Sequence, residues 1–373
     1  MSLNFTGINV TATVDQAEDT CTLSAFFNKT EPYASGYTYH GILLIVSAVT
    51  TTLCLIFSVS LASVHLSNWV KPREQKQLVR IIIFPPISGI FSLFALWFYD
   101  ASWVLEPFPE LYECFALVAM FYLLVLYVAP HESHRDHFFM NLQRFGVVKN
   151  KPKLKHDRGS LRWFKMIWVM VFQILPVKLV LNILVWVLSG VTCPVKYKLS
   201  STGTALSVIE SIATSICVLG IVWFARRMAP ELKQYKVVYK LFSFKGIVGV
   251  TLTQGPVFQL FAQYQWFKRT QYVSVLDFAV GTPAFMTCVE MFIASVVFLW
   301  SFSAEEYLEL SRELPRTRSL GGALVDVLDV RDIFHGIWYM CKISFCCGGR
   351  SRAVGKEVGG TESDLESDTV EMI

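Results

Sequence analysis

Seven stretches of this chain, residues 41–66, 81–99, 111–129, 164–189, 204–225, 246–267 and 278–302, are apolar over close to the length of a membrane-crossing helix or more. An α-helix rises 1.5 Å per residue, so about 20 apolar residues cross the ~30 Å hydrocarbon layer of a bilayer. Buried helices of soluble proteins show shorter or periodic apolar runs. Of the 373 residues 53% are hydrophobic and 17% charged, with mean hydropathy +0.46, more apolar surface than a soluble core of this length hides. The expected fold is an all-α membrane protein, a bundle of seven transmembrane helices. The net charge of +4 is small and its basic residues sit in particular loops, which argues against nucleic-acid binding.

Those loops set an orientation. The first connection carries Lys71, Arg73, Lys76 and Arg80, the third runs from Arg135 through Lys155 to Arg162, and the fifth holds Arg226, Arg227, Lys233, Lys236, Lys240 and Lys245. The second is acidic, with Asp100, Glu106 and Glu110, and the fourth and sixth carry two basic residues each. By the positive-inside rule the odd loops face the cytosol, which places the N-terminus outside or in a lumen and the C-terminus in the cytosol. Three N-glycosylation sequons, at Asn4, Asn9 and Asn28, fall on the side that charge marks as exofacial.

The first 38 residues form a polar exofacial segment without the basic and apolar regions of a cleavable signal, so the first membrane helix is expected to act as its own insertion signal. Residues 39–303 form the membrane domain, 304–350 a cytosolic amphipathic helix region, and 351–373 an acidic tail of disordered composition. Of the nine cysteines, Cys21 and Cys193 are placed for an exofacial disulfide. No metal or cofactor pattern is present; His131, His134 and His137 are close together but read as the surface of a cytosolic loop.

A charge inside a span costs ~2.5–3.5 kcal/mol on insertion scales, so it needs a partner and marks a functional candidate. Lys178 and Glu290 lie mid-span in the fourth and seventh helices, each roughly 15–20 Å below the exofacial surface. They are expected to pair, with Gln173, Asn182 and Gln254 extending a polar seam that binds substrate; a pair that only fixes helix packing is the competing reading. Glu113 and Glu210 lie in the outer third of their helices and are expected to snorkel to water. Pro85 and Pro86, Pro176, Pro256 and Pro283 interrupt four spans, and interrupted helices beside polar side chains suit a solute site.

Several segments together resemble the organic solute transporter subunit alpha and transmembrane protein 184 family, which includes plant lazarus-type and fungal vacuolar members. They are QKQLVRIIIFP over 75–85, LYECF over 111–115, Gln173 with Pro176 and Lys178, FKGIV over 244–248 leading to Gln254, and CVEMFIA over 288–294 around Glu290. The resemblance implies a seven-helix, N-out protein that moves amphipathic organic anions such as steroid conjugates or bile acids by facilitated exchange; that no cluster of His with acidic residues falls in the spans argues against an enzyme. It is compatible with a homodimer or a second subunit, and with a vacuolar, other endomembrane or plasma membrane setting. The animal subunits carry a cysteine cluster before the fourth helix where this chain has a basic linker.

After the seventh span, residues 323–332 look like that family's short cytosolic helix. Leu324, Val327, Leu328, Phe334 and Trp338 fall near one helical face, followed by Cys341, Cys346 and Cys347 beside basic residues, which reads as a membrane-surface helix open to palmitoylation; a helix docked on the bundle is the alternative. The segment from Tyr307 to Leu310 has the form of an adaptor motif that binds by strand addition. It supports a second class, an endomembrane scaffold that recruits a trafficking or autophagy partner. A seven-helix receptor is the third, although Asp-Arg-Tyr after the third span and Asn-Pro-x-x-Tyr in the seventh are both missing.

Overall fold

The computed structural model describes residues 31–33, 36–142, 158–192, 201–237, 239–244, 271–274 and 277–350, with scattered positions between 246 and 261. The three sequons, Cys21, Cys193, most of the 246–267 stretch and the 351–373 tail lie outside the described residues. The described residues are helical and contain no strand.

Helix α1 (Tyr39–Ser67) starts at Thr38, whose hydroxyl accepts from the Gly41 amide at 3.1 Å. The second span is built from α2 (Pro72–Ile82) and α3 (Phe84–Trp97). Pro85 and Pro86 stand in the first turn of α3, where a missing amide costs least, so the break falls just before them at Ile83. A 3-10 turn (Tyr99–Ala101) and the short α4 (Ser102–Leu105) lead into α5 (Pro107–Val128), followed by α6 (Glu132–Asn141). The fourth span is α7 (Arg158–Phe172) and α8 (Ile174–Thr192), broken at Gln173 because Pro176 has no amide to bond the Phe172 carbonyl. Next come α9 (Ser201–Arg227), α10 (Ala229–Leu232) and a 3-10 turn (Lys233–Tyr235). A π-helical turn (Asp277–Gly281) opens α11 (Thr282–Ser301), and α12 (Glu305–Glu313), α13 (Leu320–Leu328) and α14 (Arg331–Arg350) complete the described residues.

Among the described residues six segments are long and apolar enough to cross a membrane: Tyr39–Ser67, Pro72–Trp97, Tyr99–Val128, Ser160–Thr192, Ala205–Arg227 and Thr282–Ser301. The span containing α5 is the central one, with 72% of its most apolar stretch buried against 28% for α1. On one side of it α1, α3 and α11 pack together; on the other α7, α8 and α9 do. The outer faces are apolar, as with Ile45, Val49, Ile56 and Val59 on α1 and Val180, Ile183 and Val187 on α8, which suits hydrocarbon as the surrounding solvent.

Contacts between loops show that the basic loops share one end. Arg73 donates to the Pro130 carbonyl (3.2 Å), Arg227 to the Ser160 hydroxyl (3.0 Å), and Lys71 pairs with Glu306 (3.4 Å). At the opposite end the segment before α1 meets the one before α11: the Glu31 amide donates to the Gln271 carbonyl (2.9 Å), and the rings of Tyr33 and Tyr272 stack at 5.0 Å.

Candidate polar site between the central helix and its neighbours

Lys178 lies on α8 just past the Pro176 break and is 4% exposed. Its ammonium is 3.1 Å from Glu110 Oε2 on α5 and is paired with Glu210 on α9, so one lysine ties three helices together. A turn nearer the far end, the Asn182 amide donates to the Pro107 carbonyl at 3.0 Å and holds α8 to the first turn of α5. Gln173, in the break between α7 and α8, donates to the Ala213 carbonyl on α9 at 3.2 Å. These amides fix the walls and Lys178 neutralises carboxylates between them, which is how charge becomes tolerable at membrane depth.

Above Lys178, towards the end away from the basic loops, a cavity of about 90 Å³ is lined by Trp103, Glu106, Glu110, Asn182, Ser189, Ser207 and Glu210, among others. Glu106, Glu110 and Glu210 bring three carboxylates to its lining, beside the apolar Trp103, Pro107 and Val185. Glu113, one turn below Glu110, interacts electrostatically with Lys178 and Glu110, and its Oε1 is buried without a hydrogen-bond partner. The expectation that Glu113 and Glu210 snorkel to water is therefore corrected: both are drawn inward by the lysine.

Below Lys178, α5, α6, α7 and α9 close on an aromatic plug. Phe121, Phe139, Phe164, Trp168, Phe172 and Phe224 are all buried. Phe121 meets Trp168 and Phe224 edge-on at 5.6 and 5.3 Å, while Trp168 stacks on Phe172 at 4.6 Å and Phe139 on Phe164 at 3.9 Å. The Arg135 guanidinium covers the plug from the basic end, 4.7 Å from the Trp168 ring.

Glu290 stands elsewhere. It is half-buried on α11, its Oε1 accepts from the Gln254 amide, and its Oε2 is buried with no partner. The expected pairing of Lys178 with Glu290 is overturned, because α8 packs against α5 and α9 whereas α11 packs against α1 and α3. The expected seam is thus two groups, one holding Lys178, Asn182 and Gln173, the other Glu290 and Gln254.

Three further polar contacts were not foreseen. Asp277, fully buried in the π-turn, accepts from the Tyr99 hydroxyl (3.2 Å) and the Ser274 hydroxyl (2.7 Å), and His40 lies 3.0 Å from the same tyrosine oxygen. Lys240 donates to the Tyr127 hydroxyl at 2.9 Å, and burial brings its ammonium down to about 8 despite the opposing pull of Glu306 and Glu74. Arg80, 1% exposed, binds the start of α14 through Asp332 at 2.8 Å. A charge at the edge of an apolar run was the available signal for Arg80 and Asp277; the π-turn had none.

Tyr307 is buried on α12, and its hydroxyl donates to Glu74 at 3.1 Å. Strand addition at Tyr307 to Leu310 would require this helix to unwind and the ring to leave its packing. Cys341 is half-buried on α14; Cys346 and Cys347 fall within the same helix, their side chains outside the described residues. Among the described residues no group of three His, Cys, Asp or Glu side chains is arranged to hold a metal ion.

Residues 43–307 match the family described as organic solute transporter Ostalpha. The chain is 27% identical over 276 residues to Protein LAZ1 of Arabidopsis thaliana, covering 68% of this chain and 56% of that protein. It is 25% identical over 264 residues to a transmembrane protein 184 homolog of Dictyostelium discoideum, covering 68% and 51%. Against Protein LAZ1 homolog 1 of Arabidopsis thaliana the figures are 23% over 283 residues, 70% and 56%. The chain thus spans about half the length of these curated relatives. No solved structure matches it.

Proposed function

The chain belongs to the organic solute transporter Ostalpha family, and on that footing we propose that it moves amphipathic organic solutes across a membrane by facilitated passage between α5, α8 and α9. Steroid- or bile-acid-like anions are the proposed class. The observation that carries this reading is Lys178, buried and paired with Glu110 and Glu210, two carboxylates of the cavity lining, with the aromatic plug between it and the basic end. In this arrangement the basic end faces the cytosol and the cavity faces outside or a vacuolar or other endomembrane lumen.

The way an anion would engage this site follows from the two carboxylates. The Glu110 side chain is 45% exposed and the Glu210 side chain 20%. Glu110 therefore loses less on returning to the cavity water, and an entering sulfate or carboxylate would take its place on Lys178. The solute's apolar body would rest on Trp103 and the apolar wall, and passage onward would require the plug to separate.

The test is uptake of a labelled steroid sulfate into vesicles containing the purified protein. Saturable uptake is expected from the native chain, and its loss from the double variant Lys178→Met with Glu210→Gln, which removes the lysine together with its more buried ion-pair partner. Absence of saturable uptake in the native chain, or equal uptake by the double variant, would overturn the reading.

A further inference from the structure

Helices α13 and α14 are joined by a two-residue turn into an open hairpin, α13 packed on α1 and α2 and α14 on α7 rather than on each other, and both are pinned to the bundle. The Arg80 guanidinium donates to the Val327 carbonyl (3.0 Å), the Asp329 carbonyl (2.6 Å) and both Asp332 oxygens (2.8 and 3.2 Å). Tyr122 donates its hydroxyl to the Asp332 carbonyl at 2.6 Å, and the Trp168 indole donates to the Gly336 carbonyl at 3.0 Å. Gly336 sits where a Cβ would strike the Phe172 ring and lie 2.6 Å from the Tyr122 hydroxyl, so the hairpin cannot ride further out without losing these bonds.

These bonds also set its height. Arg80 lies about 17 residues before Trp97, the far end of α3, which is roughly 25 Å of helix. That is close to the ~30 Å hydrocarbon thickness, so the turn between α13 and α14 sits near the inner edge of the hydrocarbon layer. From there α14 descends past Phe172 towards Trp168 and Arg135, through the depth of the headgroups.

Away from the bundle each of the two helices presents exposed apolar side chains. Val325, Leu328, Phe334 and Trp338 are 65–74% exposed. Outside the bundle at this height the medium is the bilayer. The hairpin's acids are spoken for: Asp326 pairs with Arg318 (2.7 Å), Asp329 with Arg331 (2.8 Å) and Asp332 with Arg80. No unpaired carboxylate of the described hairpin therefore opposes a lipid headgroup, and a tryptophan at this depth is the residue type that interfaces favour.

We propose that the outer face of α13 and α14 is a lipid-binding surface seated in the leaflet on the basic side of the protein, with Trp338 at headgroup depth. The inference needs only that the chain crosses a bilayer, and it stands or falls separately from solute transport.

The test compares the full chain with its Trp338→Phe variant, which keeps an aromatic ring at a position without a bundle partner to lose, in phosphatidylcholine nanodiscs. The difference between their emissions isolates Trp338. Acyl chains brominated near the headgroup are expected to abolish that component, while aqueous iodide leaves it largely intact. Quenching by iodide and not by bromolipid would place the face in water and overturn the proposal. Protection from both quenchers, with particles holding two copies of the chain, would assign the face to a protein contact and overturn it equally.

Discussion

The Lys178 ammonium lies 3.1 Å from Glu110 Oε2 while also pairing with Glu210, so a single buried cation joins the fourth span to the third and the fifth. The walls of the cavity are thereby held together by electrostatics at the first turn of α5 and close to the start of α8, and on either side of that point by amides donating to backbone carbonyls. Such a joint is stable only while its charges balance, which makes it both a fastening and a point of entry for a competing anion.

Replacing Lys178 by Met alone should leave Glu110, Glu113 and Glu210 facing one another at membrane depth. Removing one partner of a buried pair costs ~3–5 kcal/mol, and adding Glu210→Gln should recover much of it. Thermal unfolding in micelles measures this; a single variant as stable as the native protein would show that the lysine is dispensable to the joint.

Gly336→Ala should force α14 away from Phe172 and Tyr122, since the added Cβ has no room. Overpacking of this kind costs ~1–3 kcal/mol. Faster amide exchange along α14, with α5 and α7 little changed, is the expected result.

Burial works against the Asp332 carboxylate, but hydrogen bonds and charge from Arg80, with help from Gln77 and Lys76, hold it below the ordinary aspartate range. A carboxylate depressed in the folded state contributes stability that is full above its unfolded value, about 3.9, and is lost as pH falls through the lower folded value. The docking of α14 should accordingly be unchanged between pH 7 and 5 and loosen only at pH below about 4, as read by proteolysis or exchange. Asp332→Asn should weaken docking at neutral pH and remove that acid dependence.

Lys240 runs the other way. With the folded ammonium lowered to about 8 and the unfolded one near 10.4, the unfolded chain holds more protons between these values. Stability should therefore rise as pH climbs from about 8 to 10, and the rise should vanish in Lys240→Met. An unfolding midpoint with the same pH slope in both proteins would contradict the burial of this lysine.

Much of the fold can be read from the residues because hydrocarbon imposes it: runs near twenty residues, breaks at Pro85, Pro176 and Pro283, and basic loops gathered at one end all have counterparts in the structure. That Lys178 would be buried with a carboxylate partner was legible for the same reason, since a charge in a span needs one. The identity of that partner was not. Glu290 and Glu210 are both carboxylates within helix-turn reach of its depth, and depth is only one coordinate; position around the bundle depends on which helices pack together. Asp277 escaped notice because its burial depends on a π-turn and a tyrosine from another span. Tyr307 read as a surface motif because linear pattern carries no information on which side of α12 meets Glu74.

The central claim is that solute passes through the cavity above Lys178, and Ser207, which lines that cavity on α9, offers the most direct test. In a protein whose Cys21 and Cys193 are replaced by serine, Ser207→Cys is treated with a membrane-impermeant thiol reagent from the side opposite the basic loops. Uptake should be lost on labelling, and excess solute should slow the labelling. Complete labelling with uptake unchanged would contradict the account.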